Sequence, residues 1–143
     1  MSATSGIFIE DMSLGQSASY TRTVTDADIV KFAEVSGDNN PVHLDQAFAE
    51  KTMFKGRIAH GMLSAGFIST VIGTRLPGTG TIYMSQTLRF KAPVKIGDTV
   101  TATCTVTEII PDKRRAILST VCKVGETTVI EGEALVMVPT RGK

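Results

Sequence analysis

Gly61-Met62-Leu63-Ser64-Ala65-Gly66-Phe67-Ile68-Ser69-Thr70-Val71-Ile72-Gly73-Thr74-Arg75-Leu76 is apolar nearly all round. Met62, Leu63, Phe67, Ile68, Val71 and Ile72 would fall on every face of a helix, and a helix of that kind is expected to be buried. The segment is too short to span a bilayer, which takes about 18 or more apolar residues. Ser64, Ala65, Gly66 and Gly73 would let a sheet or a second helix approach closely, and Pro77-Gly78 would end it.

What lies on either side of this segment differs. Downstream come strand-like runs at Thr81 to Phe90, Thr99 to Ile110, Arg115 to Val124 and Thr128 to Val138, separated by short turns. In Thr99-Val100-Thr101-Ala102-Thr103-Cys104-Thr105-Val106 the threonines take one face and smaller apolar groups the other. Upstream, Thr25 can cap a helix with acids in its first turn and Ile29, Phe32, Ala33 and Val35 on a mostly apolar face, with Gly37 ending it. Asp45 is the expected N-cap of a short helical stretch around Gln46 to Lys51. A helical first half and a strand-rich second half predict an α+β fold, with an antiparallel sheet whose concave face receives the long helix.

Length and charge bound the rest. A chain of 143 residues suits one domain with a substantial core, and a net charge of +1 with both signs interspersed gives no reason to expect a nucleic-acid or membrane-surface partner. The basic cluster Lys113-Arg114-Arg115 follows Pro111-Asp112 and reads as a solvated turn. Cys104 and Cys122 form neither a disulfide framework nor a metal motif, so free buried thiols are expected. No signal-peptide pattern stands at the start of the sequence, and a reducing cytoplasm is the expected location.

The chemistry concentrates in Phe32-Ala33-Glu34-Val35-Ser36-Gly37-Asp38-Asn39-Asn40-Pro41-Val42-His43. Asp38 and His43 stand five residues apart in a segment bent by Gly37 and Pro41, and a carboxylate and an imidazole gripping one molecule can divide general base and general acid work. Pro41 holds Asn40 extended, so a non-helical backbone is expected between the pair, and the Asn40 amide could orient either side chain. Asp38 could instead simply cap a turn while His43 starts the next helix. Ala59-His60-Gly61 opens the apolar helix, whose first amides would form an anion site. Gly61 is of interest as a backbone donor, whereas His60 reads better as a structural partner that fixes the loop. Asp38, His43, Asp45 and His60 lack the spacing of a familiar zinc or iron motif. Nucleophile-elbow, P-loop and Rossmann glycine patterns are not found in the sequence.

Phe32 to His43, with Ala49 six residues after the histidine and followed by Ile58-Ala59-His60-Gly61-Met62, resembles the hydratase 2 signature of R-specific enoyl-CoA hydratases, the MaoC-like branch of the hot dog fold. Arg89-Phe90-Lys91-Ala92-Pro93-Val94-Lys95-Ile96-Gly97-Asp98-Thr99-Val100 is similar to a strand and turn shared by hot dog proteins generally. The likeness runs from about residue 15 to 138. It implies a single hot dog domain over 1–143, with the sheet wrapped around the long helix, homodimers with the active site near their interface, and no metal or redox cofactor. By resemblance, Asp38 and His43 hold the water added to a trans-2-enoyl-CoA, Asn40 supports them and the Gly61 amide binds the thioester oxygen. Ser69, Ile72 and Met137 are the analogous positions for lining the acyl pocket, with short to medium chains expected.

The same resemblance admits a dehydratase acting on 3-hydroxyacyl groups of acyl carrier protein, a hot dog thioesterase, and a non-catalytic acyl-thioester binding module. A role in feeding polyhydroxyalkanoate synthesis is one that the family contains.

Overall fold

The structure is a computed structural model that describes residues 6–142; residues 1–5 and 143 of the domain expected over 1–143 lie outside the described residues. In chain order its elements are β1 (Ser17–Thr23), α1 (Asp26–Ser36), α2 (Pro41–Leu44), α3 (Gln46–Glu50), α4 (Gly61–Thr74), β2 (Ile82–Phe90), β3 (Thr99–Ile110), β4 (Arg115–Val124) and β5 (Thr127–Met137). The strands form one sheet in the order β1-β3-β4-β5-β2, antiparallel throughout. Among the described residues no helix is long and apolar enough to cross a membrane.

Local sequence explains the ends of α1. Thr25 Oγ1 accepts from the Asp28 amide at 3.1 Å and the Asp28 carboxylate accepts from the Thr25 amide at 3.2 Å, a reciprocal cap that satisfies two donors. Gly37 ends the helix at φ 82, a left-handed conformation that glycine adopts without steric cost.

Three features depart from the sequence reading. The first half is not wholly helical, because Ser17-Ala18-Ser19-Tyr20-Thr21-Arg22-Thr23 is a strand. It has little apolar content to announce it, and it is tied to β3 by hydroxyl pairs: Ser19 with Thr103 at 2.8 Å, Thr21 with Thr101 at 3.0 Å and Thr23 with Thr99 at 2.7 Å. The backbone between Asp38 and His43 is not free of helix either. Asn40 is extended as expected, at φ −54 and ψ 127, but Pro41 then occupies the first position of α2, where its missing N–H costs nothing.

The third departure concerns α4. Ser64, Phe67, Ile68, Val71 and Ile72 are buried, and they meet Val100, Ala102 and Cys104 of β3 and Leu118 and Cys122 of β4 in one core. The opposite stripe, Met62, Gly66, Ser69 and Gly73, stays uncovered, because the curl of one five-stranded sheet encloses only one side of the helix. Edge strand β2 is uncovered as well. Ile82, Tyr83, Met84 and Phe90 are all exposed large apolar groups on it, and its outer backbone edge has no strand beside it among the described residues.

Gly132 in β5 stands between Leu88 of β2 and Thr120 of β4. With no side chain there, the Gln86 amide donates to the Thr120 hydroxyl at 2.8 Å and to the Thr87 carbonyl at 2.9 Å. An isolated glycine in a strand signals such a close approach.

Candidate active site

The segment from Gly37 to Asp45 is held in place through main-chain atoms. The Asn40 side-chain oxygen accepts from the Val42 amide at 3.1 Å and caps α2, the turn that carries His43. The Ile58 amide donates to the Val42 carbonyl at 3.3 Å, and Arg57 Nε donates to the His43 carbonyl at 2.6 Å while its Nη2 pairs with Asp26 at 2.7 Å. Asn40 therefore shapes the turn under His43.

His43 is 8% exposed, and its Nδ1 lies 2.8 Å from the Ile58 carbonyl. A carbonyl only accepts, so Nδ1 carries the proton and, in the neutral ring, Nε2 keeps a lone pair. Burial holds the His43 pKa below the ordinary imidazole value of 6.5. The Ile58 carbonyl opposes that shift, neighbouring His60 adds to it, and Asp38 opposes it. His43 is thus a neutral imidazole with one nitrogen free for chemistry.

His60 completes the arrangement. Its ring stacks on His43 with centroids 3.8 Å apart and planes 27° apart, and the Phe32 ring packs against it with centroids 4.7 Å apart. His60 Nε2 donates to the Asp38 carbonyl at 2.9 Å, which is the loop-fixing role expected of it. Asp38 uses Oδ1 to accept from the Asn40 amide at 3.3 Å, so it caps a turn while Oδ2 has no partner among the described residues. The turn-capping and reactive readings of Asp38 are therefore compatible.

One side-chain donor or acceptor atom from each of Asp38, His43 and His60 lies within 4.8 Å of the others. Three such groups could in principle hold a cation. However, two stacked rings project their in-plane lone pairs side by side, and each ring already commits one nitrogen to a carbonyl. The geometry is better suited to sharing protons.

Beside the cluster opens a cavity of about 350 Å³, lined by His60, Gly61 and Ser64 on the α4 side and by Met53, Phe54, Ile58, Phe90 and Ile130 among others. Among the described residues no side chain caps the first turn of α4, so the Gly61 amide has no side-chain acceptor. A Cβ on Gly61 would come within 2.5 Å of the Phe90 ring.

A profile of the MaoC like domain matches residues 11–130. The chain belongs to the MaoC-like family. This MaoC-like chain is 58% identical over 135 residues to the (R)-specific enoyl-CoA hydratase of Rhodospirillum rubrum, an alignment covering 94% of each. It is 50% identical to the 3-hydroxybutyryl-CoA dehydratase of Methylorubrum extorquens, over 94% of this chain and 86% of that one. The unliganded R-hydratase of Pseudomonas aeruginosa superposes with a TM-score of 0.90 at 47% identity, over 95% of this chain and 88% of that one. The α+β architecture is the hot dog fold.

Of the residues expected at the site, Asp38, Asn40 and His43 lie at the α2 turn and Gly61 at the α4 tip; Gly61 lines the cavity, Asp38 and His43 border it through His60, and Ser69, Ile72 and Met137 do not line it. Ser69 is on the uncovered stripe of α4, Ile72 faces the core at 1% exposure, and Met137 is half-buried on β5 opposite Ile82. Phe54, Phe90 and Ser64 escaped the sequence reading as cavity residues. Their lining role comes from chain crossings such as the Ile58–Lys95 bridge, which leave no local periodicity.

Proposed function

We propose that this chain is an (R)-specific enoyl-CoA hydratase, adding water reversibly across trans-2-enoyl-CoA to give (R)-3-hydroxyacyl-CoA. The observation that carries the reading is the neutral, lone-pair-bearing His43 beside the Asp38 carboxylate, at the uncapped tip of α4 and next to an apolar cavity. The identity to the hydratase of Rhodospirillum rubrum supports it.

Asp38 and His43 hold the water. Its oxygen bonds to C3, the C2–C3 π pair moves toward the carbonyl, and an O–H bond of the water breaks to one member of the pair, which returns that proton, directly or through the other member, to C2. The two groups act as a coupled acid and base. Both act on one face of the substrate, so addition is syn, and the R reading assigns that face as the one whose hydration gives the R alcohol. Charge builds on the thioester oxygen, where the Gly61 amide at the positive end of α4 stabilises it by about 3 kcal/mol.

The apolar cavity takes the short acyl group. For longer chains the proposed contacts are Ser69 and Ile72, about 12 and 17 Å beyond Gly61 along α4, with Met137 on β5. Ile72→Ala should extend the range of accepted enoyl-CoAs, and identical relative kcat/KM values from C4 to C12 would remove Ile72 from the pocket.

We further propose that two copies pair through β2. The unpaired backbone edge, the exposed Ile82, Tyr83, Met84 and Phe90, and the bare small-residue stripe of α4 are all features a second copy would cover. The cytoplasm is the proposed location, supported by two unpaired thiols that burial pushes up to about 12.

The deciding experiment follows crotonyl-CoA by loss of its conjugated absorbance, by release of free thiol and by chiral analysis of the product. Absorbance loss without thiol release and a product in the R configuration is expected. Thiol release would indicate a thioesterase, and an S product would overturn the R-specific reading by showing that the opposite face is attacked. Faster turnover of the acyl-carrier-protein thioester would reassign the carrier.

A further inference from the structure

Hydroxyl side chains within the helices of this chain generally bond back to the carbonyl four residues earlier. Ser36 does so to Phe32 at 2.7 Å, Thr70 to Gly66 at 3.2 Å and Thr74 to Thr70 at 2.6 Å. Ser64 and Ser69 do not, and of these two only Ser64 is buried. It is wholly buried, the His60 carbonyl four residues back is taken by the Leu63 amide at 3.0 Å, and Ser64 Oγ has no partner among the described residues. His60 Nδ1, buried one turn away, lacks a partner too. Native interiors rarely leave two such atoms unpaired at one helix end unless a ligand or water uses them.

Both residues line the cavity next to Gly61. A helical side chain leans toward the helix N-terminus, so Ser64 covers the first turn of α4, where the Gly61 amide is. Its backbone is fixed from the far side by Cys122, whose thiol donates to the Ser64 carbonyl at 3.6 Å. In the neutral His60 ring, Nε2–H is committed to Asp38, so Nδ1 can only accept and cannot stabilise a developing anion. Among the side chains over that turn, Ser64 is the one with a proton to offer a negatively charged oxygen.

We propose that the Ser64 hydroxyl is a second hydrogen-bond donor to the substrate's thioester oxygen, beside the Gly61 amide. The proposal rests on the hydratase reading. In the free protein the hydroxyl has no partner among the described residues, and the substrate oxygen supplies one. No bond is made or broken at Ser64; it supplies a dipole that strengthens as the oxygen gains charge, so its contribution falls on kcat more than on KM.

The test compares the wild-type protein with Ser64→Ala and the near-isosteric, weakly donating Ser64→Cys. It measures hydration of crotonyl-CoA and the infrared carbonyl stretch of bound, carbon-13-labelled butyryl-CoA, which cannot be hydrated. Ser64→Ala is expected to lose about 10²-fold in kcat with KM little changed. The bound carbonyl should move back toward its free frequency, with Ser64→Cys between the two. Wild-type kcat and an unshifted carbonyl in a variant with a native circular dichroism spectrum would overturn the proposal, and would assign Ser64 to a buried water or to packing. If Ser64→Ala does not fold, Ser64→Cys decides on the same two readouts. A wild-type protein that binds crotonyl-CoA without hydrating it would overturn the functional reading itself, and this proposal with it.

Discussion

Asp38→Asn is expected to lower kcat for hydration by about 10²- to 10⁴-fold while leaving substrate binding nearly intact. The substitution isolates the reactive role, because asparagine keeps an oxygen at Oδ1 to accept from the Asn40 amide at 3.3 Å and so preserves the turn. His43→Asn should match it, since an asparagine nitrogen can take the place of Nδ1 on the Ile58 carbonyl while removing the free Nε2. If the two groups share one proton inventory, the double variant will be no slower than the worse single one. A loss below tenfold in either would place the acid–base chemistry elsewhere. The pH profile has a sign as well. The His43 pKa is held below its ordinary 6.5 by burial, so the neutral ring persists into mild acid and the acid limb of kcat/KM should fall below that value. The same depression means that the unfolded chain takes up the proton first, so stability is full above 6.5 and declines as the pH drops toward the lower folded value.

Gly132→Ala is expected to cost about 3 kcal/mol, or roughly 10 °C in Tm. A Cβ there would stand 1.9 Å from the Thr87 carbonyl oxygen and 2.8 Å from its carbon, both backbone atoms of β2, which cannot rotate aside as a side-chain tip could. Moving β2 outward would also part Gln86 from the Thr120 hydroxyl, which is wholly buried. Thermal unfolding of the variant checks this, and a Tm within about 2 °C of wild type would show that β2 relaxes freely.

Much of this was legible in the chain. The capped start of α1, the stop at Gly37, the Asp45 cap and the four long strands all follow from local rules, because caps, turns and alternation are satisfied by near neighbours. β1 was not legible, since its serines and threonines bond to β3 some 80 residues away and bury little of their own. The all-round apolarity of α4 correctly predicted contact with the sheet but not the bare Met62–Gly73 stripe, because one curled sheet reaches only one side of the helix. At the site, the Gly37 and Pro41 bend pointed to Asp38 and His43. The stacking of His60 on His43, and the idle hydroxyl of Ser64, are products of packing that no spacing announces.

Besides the Asp38 and Asn40 side-chain oxygens, the reactive bend is clasped through four main-chain carbonyls, those of Asp38, Val42, His43 and Ile58. Carbonyls are common to every residue type. Solvent-facing positions such as Asn39 and Ala47 can therefore be rewritten freely, to attach a label or to recolour the surface, without altering the aim of the two proton-handling groups.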